Sequence, residues 1–131
     1  MKVFLAHYWP ALLWAFFIFV MCTIKLGRVP SAPIFFEGFD KLVHCGFFFV
    51  QVVFIAYGLI RGSNSYTFRY EQLIIPILLS LIYGGLIEIL QNYFFTWRSG
   101  EWDDFFADTV GALMGAFSIF TVFKALSYVK K

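Results

Sequence analysis

Residues 73–95 read LIIPILLSLIYGGLIEILQNYFF and contain a single charged side chain, that of Glu88. A transmembrane helix needs about 20 mostly apolar residues, so this stretch is long enough to cross a bilayer. Three further stretches have the same character, at residues 8–24, 42–60 and 105–128. The sequence therefore predicts an all-α, polytopic membrane protein, built as a bundle of four transmembrane helices.

The composition of the whole chain points the same way. Of its 131 residues 61% are hydrophobic and 14% are charged, whereas a soluble domain has about 45–50% apolar and about 25% charged residues. A soluble domain of this size needs a polar surface, so the composition excludes a soluble enzyme and a secreted disulfide-rich module. The net charge of +2 is too small to indicate a nucleic-acid partner. The loops are short, and we expect residues 1–131 to form one membrane domain.

The distribution of basic residues in the loops predicts the orientation. With four spans, both termini and the middle loop lie on one side of the membrane. That side carries the larger group of basic residues, namely Lys2, Arg61, Arg69, Lys124, Lys130 and Lys131. The opposite side carries the smaller group, namely Lys25, Arg28, Lys41 and Arg98. The bias favours cytoplasmic termini.

Stripes of small and polar residues run along one face of the second, third and fourth predicted helices, with spacings of three, four or seven residues. Their members are Asp40, His44 and Gln51; Ser80, Gly84, Glu88 and Gln91; and Asp104, Asp108, Gly111 and Gly115. Ionisable side chains at membrane depth are costly and mark functional sites by default. Because all three stripes end near the same membrane face, the sequence predicts one polar site there, to which Lys41 and Arg98 add basic groups.

Simpler interpretations exist for several of these residues. Glu88 pairing with Arg98 would only lock the turn between the third and fourth helices. Gly84, Gly111 and Gly115 are expected to serve close helix packing. Asp, Glu and His side chains are suitable metal ligands, but the spacing from Asp40 to His44 is a weak signal for metal binding. The sequence therefore predicts neither a metal site nor a cofactor.

The same residues resemble the pattern of the VanZ-like family, which reads D-K-x-x-H, E-x-x-Q, R, and D-x-x-x-N-x-x-G-x-x-x-G across successive membrane helices. The matching elements are Asp40-Lys41 with His44, Glu88 with Gln91, Arg98, and Asp104 with Asp108, Gly111 and Gly115. Asp108 stands where the family often has Asn. The resemblance implies a bacterial plasma (inner) membrane protein of the cell envelope. The family takes its name from a protein that gives low-level resistance to the lipoglycopeptide teicoplanin.

The leading functional hypothesis is an outward-facing polar site that binds a membrane lipid or a lipid-linked amphiphile, such as a lipid headgroup or a lipoglycopeptide. Its predicted members are Asp40, Lys41, His44, Glu88, Gln91, Arg98, Asp104 and Asp108. The first alternative is a membrane enzyme that modifies a lipid or a cell-wall intermediate, since the site contains acids and a base. The second alternative is a structural or assembly subunit, in which the polar residues only hold helices together.

Overall fold

The computed structural model describes residues 2–24, 38–63, 68–96 and 100–129. Within these ranges the chain forms four α-helices and no strand: α1 (Lys2–Thr23), α2 (Phe39–Gly62), α3 (Glu71–Phe94) and α4 (Trp102–Val129). Each helix is long and apolar enough to cross a membrane. The predicted fold class, an all-α protein with four transmembrane helices, is confirmed.

The helices begin earlier than the predicted spans, at residues 2, 39, 71 and 102 rather than at 8, 42, 73 and 105. The predicted spans cover only the apolar residues. The helices are longer because the backbone is also helical in the polar residues that precede each span. As a result Pro10 lies well inside α1. At the start of α2, Gly38 is the N-terminal cap with a left-handed φ of 85°, and no side chain caps this helix.

α2 occupies the centre of the bundle. It contacts each of the other helices, while α1 and α4 do not touch within the described ranges. Sequential helices are antiparallel: Tyr8 in α1 lies against Gly58 near the end of α2, and Trp14 lies against Phe47. It follows that α2 and α4 run in the same direction, and they share the largest interface of the bundle.

Two glycines of α4 make this parallel contact close. A Cβ atom at Gly111 would overlap the backbone carbonyl of Cys45, and one at Gly115 would lie 2.7 Å from the carbonyl oxygen of Phe49. Only a residue without a side chain fits at these two positions. Gly111 and Gly115, whose four-residue spacing predicted a role in helix packing, therefore lie against the main chain of α2.

The interior consists of two apolar clusters stacked along the bundle. One is centred on Ile18, Cys22, Phe48 and Ile87, and the other on Val52, Ala112 and Ala116. Small side chains dominate the cluster between α2 and α4, in agreement with their short separation. On the outside, large apolar side chains such as Phe16 and Phe117 are well exposed, as expected for a surface in contact with lipid.

α1 has no polar stripe of its own and is attached by hydrogen bonds to backbone carbonyl groups. The indole Nε1 of Trp14 donates to the carbonyl oxygen of Phe47 over 2.9 Å, and the hydroxyl group of Tyr83 donates to that of Ala15 over 2.5 Å. Such contacts orient one transmembrane helix against its neighbours, because lipid provides no hydrophobic driving force for association.

Candidate functional site

The candidate site lies at one end of the bundle, where the first turns of α2 and α4 meet the last turns of α3. The parallel course of α2 and α4 brings both of their N-terminal ends to this end. Seven interconnected side chains, which we call the polar cluster, gather here: Asp40, Lys41, His44, Glu88, Glu101, Asp104 and Asp108. Six of them belong to the site predicted from the sequence, and Glu101 is an addition.

His44 forms the buried centre of the polar cluster. Its Nδ1 lies 2.9 Å from Oδ1 of Asp108, and its Nε2 lies 3.8 Å from Oδ2 of Asp104. All three side chains are at most 5% exposed. The hydrogen bond to Asp108 orients the ring between α2 and α4, and Asp104 faces the other ring nitrogen at ion-pair distance.

Lys41 is surrounded by carboxylates at the rim of the same cluster. Its Nζ lies 3.4 Å from Asp40, 3.6 Å from Glu101 and 3.6 Å from Asp104. Asp104 is buried, whereas Asp40 and Glu101 are about half exposed. The single ammonium group is therefore shared among three acids, one of which also faces His44.

Glu88 connects α3 to the start of α4. Its Oε2 accepts a hydrogen bond of 2.7 Å from the backbone N–H of Glu101, so the carboxylate anchors the residue that precedes α4. Its Oε1 is buried and has no hydrogen-bond partner within the part of the chain that the structure describes. The expected alternative partner, Arg98, lies outside the described residues.

The helix ends add positive potential to this acidic site. Asp40 lies in the first turn of α2, and Asp104 lies in the first turn of α4. The N-terminal end of a helix carries a partial positive charge, which stabilises anionic side chains within the first turn. Two parallel helices therefore contribute dipoles of the same sign to the polar cluster.

Glycines provide the space in which the cluster forms. A Cβ atom at Gly84 would lie 2.8 Å from Oδ2 of Asp108 and 3.2 Å from the ring of Phe48. A Cβ atom at Gly100 would overlap the backbone carbonyl of Glu88. Gly84 was expected to serve helix packing alone. The structure shows that it also leaves room for the carboxylate of Asp108.

An open cleft of about 290 Å³ borders the polar cluster between α3 and α4. Its lining consists of Gly85, Glu88, Ile89, Asn92, Tyr93, Gly100, Glu101, Trp102 and Phe105. Glu88 and Glu101 belong to both the cluster and the cleft, so the cleft opens directly onto the charged groups. Asn92 adds an amide group, and aromatic and aliphatic side chains form most of the remaining wall.

Gln91 is not part of the polar cluster, although it shares a stripe with Glu88. Its Nε2 donates a hydrogen bond of 2.8 Å to the carbonyl oxygen of Cys22, and the residue is fully buried. Gln91 therefore attaches α1 to α3. Gln91 and Glu88 lie on the same stripe of α3 but almost one turn apart, so their side chains contact different neighbours.

The cleft also contains residues that the sequence did not single out. Asn92, Tyr93 and Trp102 line it, and Glu101 belongs to an acidic run that is equally typical of a solvated loop. One feature of the sequence could have indicated Glu101. It directly precedes the fourth helix, whose first turn contains acidic residues, a position typical of a helix N-terminus. Nothing in the sequence marked Asn92 or Tyr93.

Comparison of the chain with protein-family models, with curated proteins and with solved structures finds no match in any of the three. The class of protein is therefore defined by the fold and the site. It is a four-helix, multi-pass membrane protein with a buried His–Asp centre and an adjoining acidic cleft at one end of the bundle.

Proposed function

We propose that this protein binds an amphiphile, with the polar headgroup at the polar cluster and the apolar chain along the outer wall of the cleft. The supporting observation is the cleft itself, which combines the polar residues Glu88, Asn92 and Glu101 with the apolar side chains of Trp102 and Phe105. Sites that bind small molecules are typically concave and apolar, with a few convergent polar groups that set the orientation.

The charge of the cluster indicates the chemistry of the headgroup. Five carboxylates stand against one lysine and one histidine, and the ammonium group of Lys41 is already within 3.6 Å of three of those acids. An anionic headgroup would meet mostly like charge. A headgroup that carries hydroxyl groups or an ammonium group donates hydrogen bonds to Glu88 and Glu101, which are acceptors when ionised. We therefore favour a hydrogen-bond-donating headgroup over an anionic one.

The orientation of His44 favours binding over catalysis. Both ring nitrogens face aspartates, at 2.9 and 3.8 Å, and the residue does not line the cleft. A general base has to lie within hydrogen-bonding reach of the proton that it removes. The geometry therefore supports a binding protein better than the enzyme considered from the sequence, and an open cleft beside the cluster is not needed by a purely structural subunit.

The proposal extends to family and location. The elements of the chain that resemble the VanZ-like pattern include six of the seven residues in the polar cluster. That resemblance supports a place in the bacterial plasma membrane, and the distribution of basic residues in the loops supports cytoplasmic termini and an outward-facing site. A lipoglycopeptide such as teicoplanin combines an acyl chain with donor-rich sugars, which are the two features that the cleft and the cluster require. The expected phenotype is low-level teicoplanin tolerance.

Expression in a teicoplanin-sensitive bacterium tests this function. We expect expression of the parent chain to raise the inhibitory concentration of teicoplanin, and Glu88→Gln to remove the effect at equal protein level. Glu71→Gln is the matched control, since it makes the same chemical change at the opposite end of α3, where Glu71 is exposed and pairs with Arg69. Unchanged tolerance on expression of the parent chain would argue against the proposal.

A second comparison separates the headgroup from the chain. If the acyl chain lies along the cleft, Trp102→Ala reduces tolerance of teicoplanin and has no effect on the response to teicoplanin from which the acyl chain has been removed. Equal effects of this variant on both compounds would place the acyl chain elsewhere.

A further inference from the structure

The polar cluster contains two sets of three side chains suitable for metal binding. In each set the candidate ligand atoms lie within 4.8 Å of one another. The first set is Asp40, Glu101 and Asp104, and the second is His44, Glu88 and Asp108. The two sets differ in what neutralises them.

The first set is neutralised by the protein itself. Nζ of Lys41 lies 3.4 to 3.6 Å from a carboxylate oxygen of each of its three members. The ammonium group takes the place that a cation would have among the three acids. Two of those acids are also about half exposed, so water solvates the remaining charge. This set has no need of a metal ion.

In the described part of the chain the second set has no lysine or arginine in the position that Lys41 takes in the first, and its one basic group, His44, is itself a member of the set. Among residues 2–24, 38–63, 68–96 and 100–129, no lysine or arginine forms an ion pair with Glu88 or Asp108. Asp108 is 1% exposed, and Oε1 of Glu88 is a buried oxygen with no hydrogen-bond partner in the same ranges. Buried carboxylate charge is strongly unfavourable unless a positive charge and hydrogen bonds compensate it.

From this contrast we infer that His44, Glu88 and Asp108 form a binding site for a divalent transition-metal ion, with Zn²⁺ or Mn²⁺ as the fitting candidates. One imidazole nitrogen and two carboxylates suit these ions, whereas Mg²⁺ and Ca²⁺ prefer oxygen ligands alone. Oε1 of Glu88, a buried oxygen without a hydrogen-bond partner among the described residues, supplies a further ligand atom. This site draws on the same cluster as the proposed function, but its existence does not depend on an amphiphile.

The distances of the His44–Asp108 pair are compatible with such an ion. A separation of 2.9 Å between Nδ1 and Oδ1 fits a hydrogen bond. With metal bonds of about 2.0–2.2 Å, neighbouring ligands lie about 3 Å apart in an octahedral site and about 3.4 Å apart in a tetrahedral one, so a tetrahedral Zn²⁺ requires the pair to open by about 0.5 Å. Metal binding replaces the proton that the pair shares, and this proton is released to solvent. Oδ2 of Asp104 lies 3.8 Å from Nε2, on the side of the ring where metal-bound histidines commonly have a carboxylate partner.

The sequence could not predict this site, and the inference replaces the expectation that no metal is bound. His44, Glu88 and Asp108 come from three different helices. Motifs of metal sites are recognised by spacing along the chain, and the only spacing available here, between Asp40 and His44 in one helix, joins residues of two different sets.

Equilibrium dialysis of the purified full-length chain in detergent micelles, after treatment with a chelator, tests the inference with Zn²⁺ as the probe. We expect about one Zn²⁺ per chain, as in other single-ion sites. Glu88→Gln and Asp108→Asn should weaken binding by more than the about 10- to 100-fold that follows loss of a ligand's hydrogen-bonding partner. Asp40→Asn is the matched control from the set that Lys41 neutralises, and it should bind Zn²⁺ as the parent chain does.

Circular dichroism and a monodisperse elution profile verify that each variant is folded. Glu88 is only partly buried, so Glu88→Gln is the decisive variant if Asp108→Asn does not fold. Absence of saturable Zn²⁺ binding by the parent chain overturns the inference. Binding that Glu88→Gln leaves intact, or that Asp40→Asn abolishes, also overturns it. None of these measurements involves teicoplanin, so they are independent of the test of amphiphile binding.

Discussion

Nδ1 of His44 and Oδ1 of Asp108 lie 2.9 Å apart although 64 residues separate them in the chain. The contact joins α2 and α4 beside the place where Gly111 lets their backbones approach. A buried hydrogen bond between two helices needs both helices at a fixed separation. The glycine contact therefore provides the geometry on which the buried pair depends, and the pair gives the interface its specificity.

The coupling between His44 and Asp108 is measurable by a double-mutant cycle. We expect Asp108→Ala to lower the free energy of unfolding by about 1–3 kcal/mol, because His44 loses a buried hydrogen-bond partner. Together with His44→Ala, the cycle should yield a coupling energy of about 0.5–3 kcal/mol. Reversible unfolding in mixed micelles provides the measurement. Thr109→Ala serves as the control, since the Thr109 hydroxyl group donates to the Phe105 carbonyl oxygen within α4. Additive effects of the first two variants would contradict the prediction.

Gly111 and Gly46 are expected to respond in opposite directions to the same substitution. Gly111→Ala forces a methyl group into the Cys45 carbonyl, and overpacking of this kind costs about 1–3 kcal/mol or more. Gly46→Ala meets no atom within 4 Å and should gain up to about 1 kcal/mol from helix propensity. The unfolding free energies of the two variants decide the matter, and equal values would show that the close approach of α2 and α4 is not required.

Alanine substitutions at two adjacent glycines of α3 distinguish an effect on the site from an effect on the helix itself. Gly84→Ala places a Cβ atom 2.8 Å from Oδ2 of Asp108, whereas at Gly85 the nearest atom is 3.6 Å away, an ordinary contact. We expect Gly84→Ala to abolish teicoplanin tolerance and Gly85→Ala to retain it, at equal amounts of protein in the membrane. A loss of tolerance in both variants would assign the effect to α3 as a whole.

Gln91 should behave as a packing residue and not as a site residue. Gln91→Leu removes the hydrogen bond to the Cys22 carbonyl, and polar contacts between membrane helices contribute about 0.6 kcal/mol on average. We therefore expect a small loss of unfolding free energy and unchanged teicoplanin tolerance. If Gln91→Leu removed tolerance as Glu88→Gln is expected to do, Gln91 would have to be assigned to the site.

The orientation is testable by labelling of introduced cysteines in intact cells. Thr96 and Ser63 lie just beyond the ends of α3 and α2, on opposite sides of the bundle. With cytoplasmic termini, a membrane-impermeant maleimide labels Thr96→Cys and does not label Ser63→Cys. The parent chain, whose Cys22 is buried and Cys45 partly buried, gives the background. Labelling of Ser63→Cys alone would reverse the orientation and place the cleft in the cytoplasm.

The four helices could be predicted from the sequence because a run of apolar residues long enough to cross a bilayer has few alternative structures. The end of the bundle at which the site lies could also be predicted, since the polar residues of three helices point to the same membrane face. The starts of the helices could not be predicted from hydropathy, because the backbone continues helically through polar residues, as at Asp40 and Asp104.

The pairing of the polar residues could not be predicted, because a stripe does not specify which neighbouring helix it faces. Gln91 faces α1, whereas Glu88, three residues earlier, faces the start of α4. The partner of Glu88 is a backbone N–H, which every residue except proline carries, and no sequence pattern marks it. The role of Lys41, in contact with three acids at once, likewise depends on how the helices are arranged in space.

The parallel arrangement of α2 and α4 has a consequence for biosynthesis. His44 leaves the ribosome before Asp104 and Asp108, the two aspartates that face its ring, because both belong to α4. A nascent chain that holds only α1 to α3 exposes polar side chains to lipid, which is unfavourable. Entry of α4 supplies both aspartates and the Glu101 N–H together. Insertion of α4 thus supplies the polar partners that α2 and α3 lack before it, so that their polar side chains are no longer exposed to lipid.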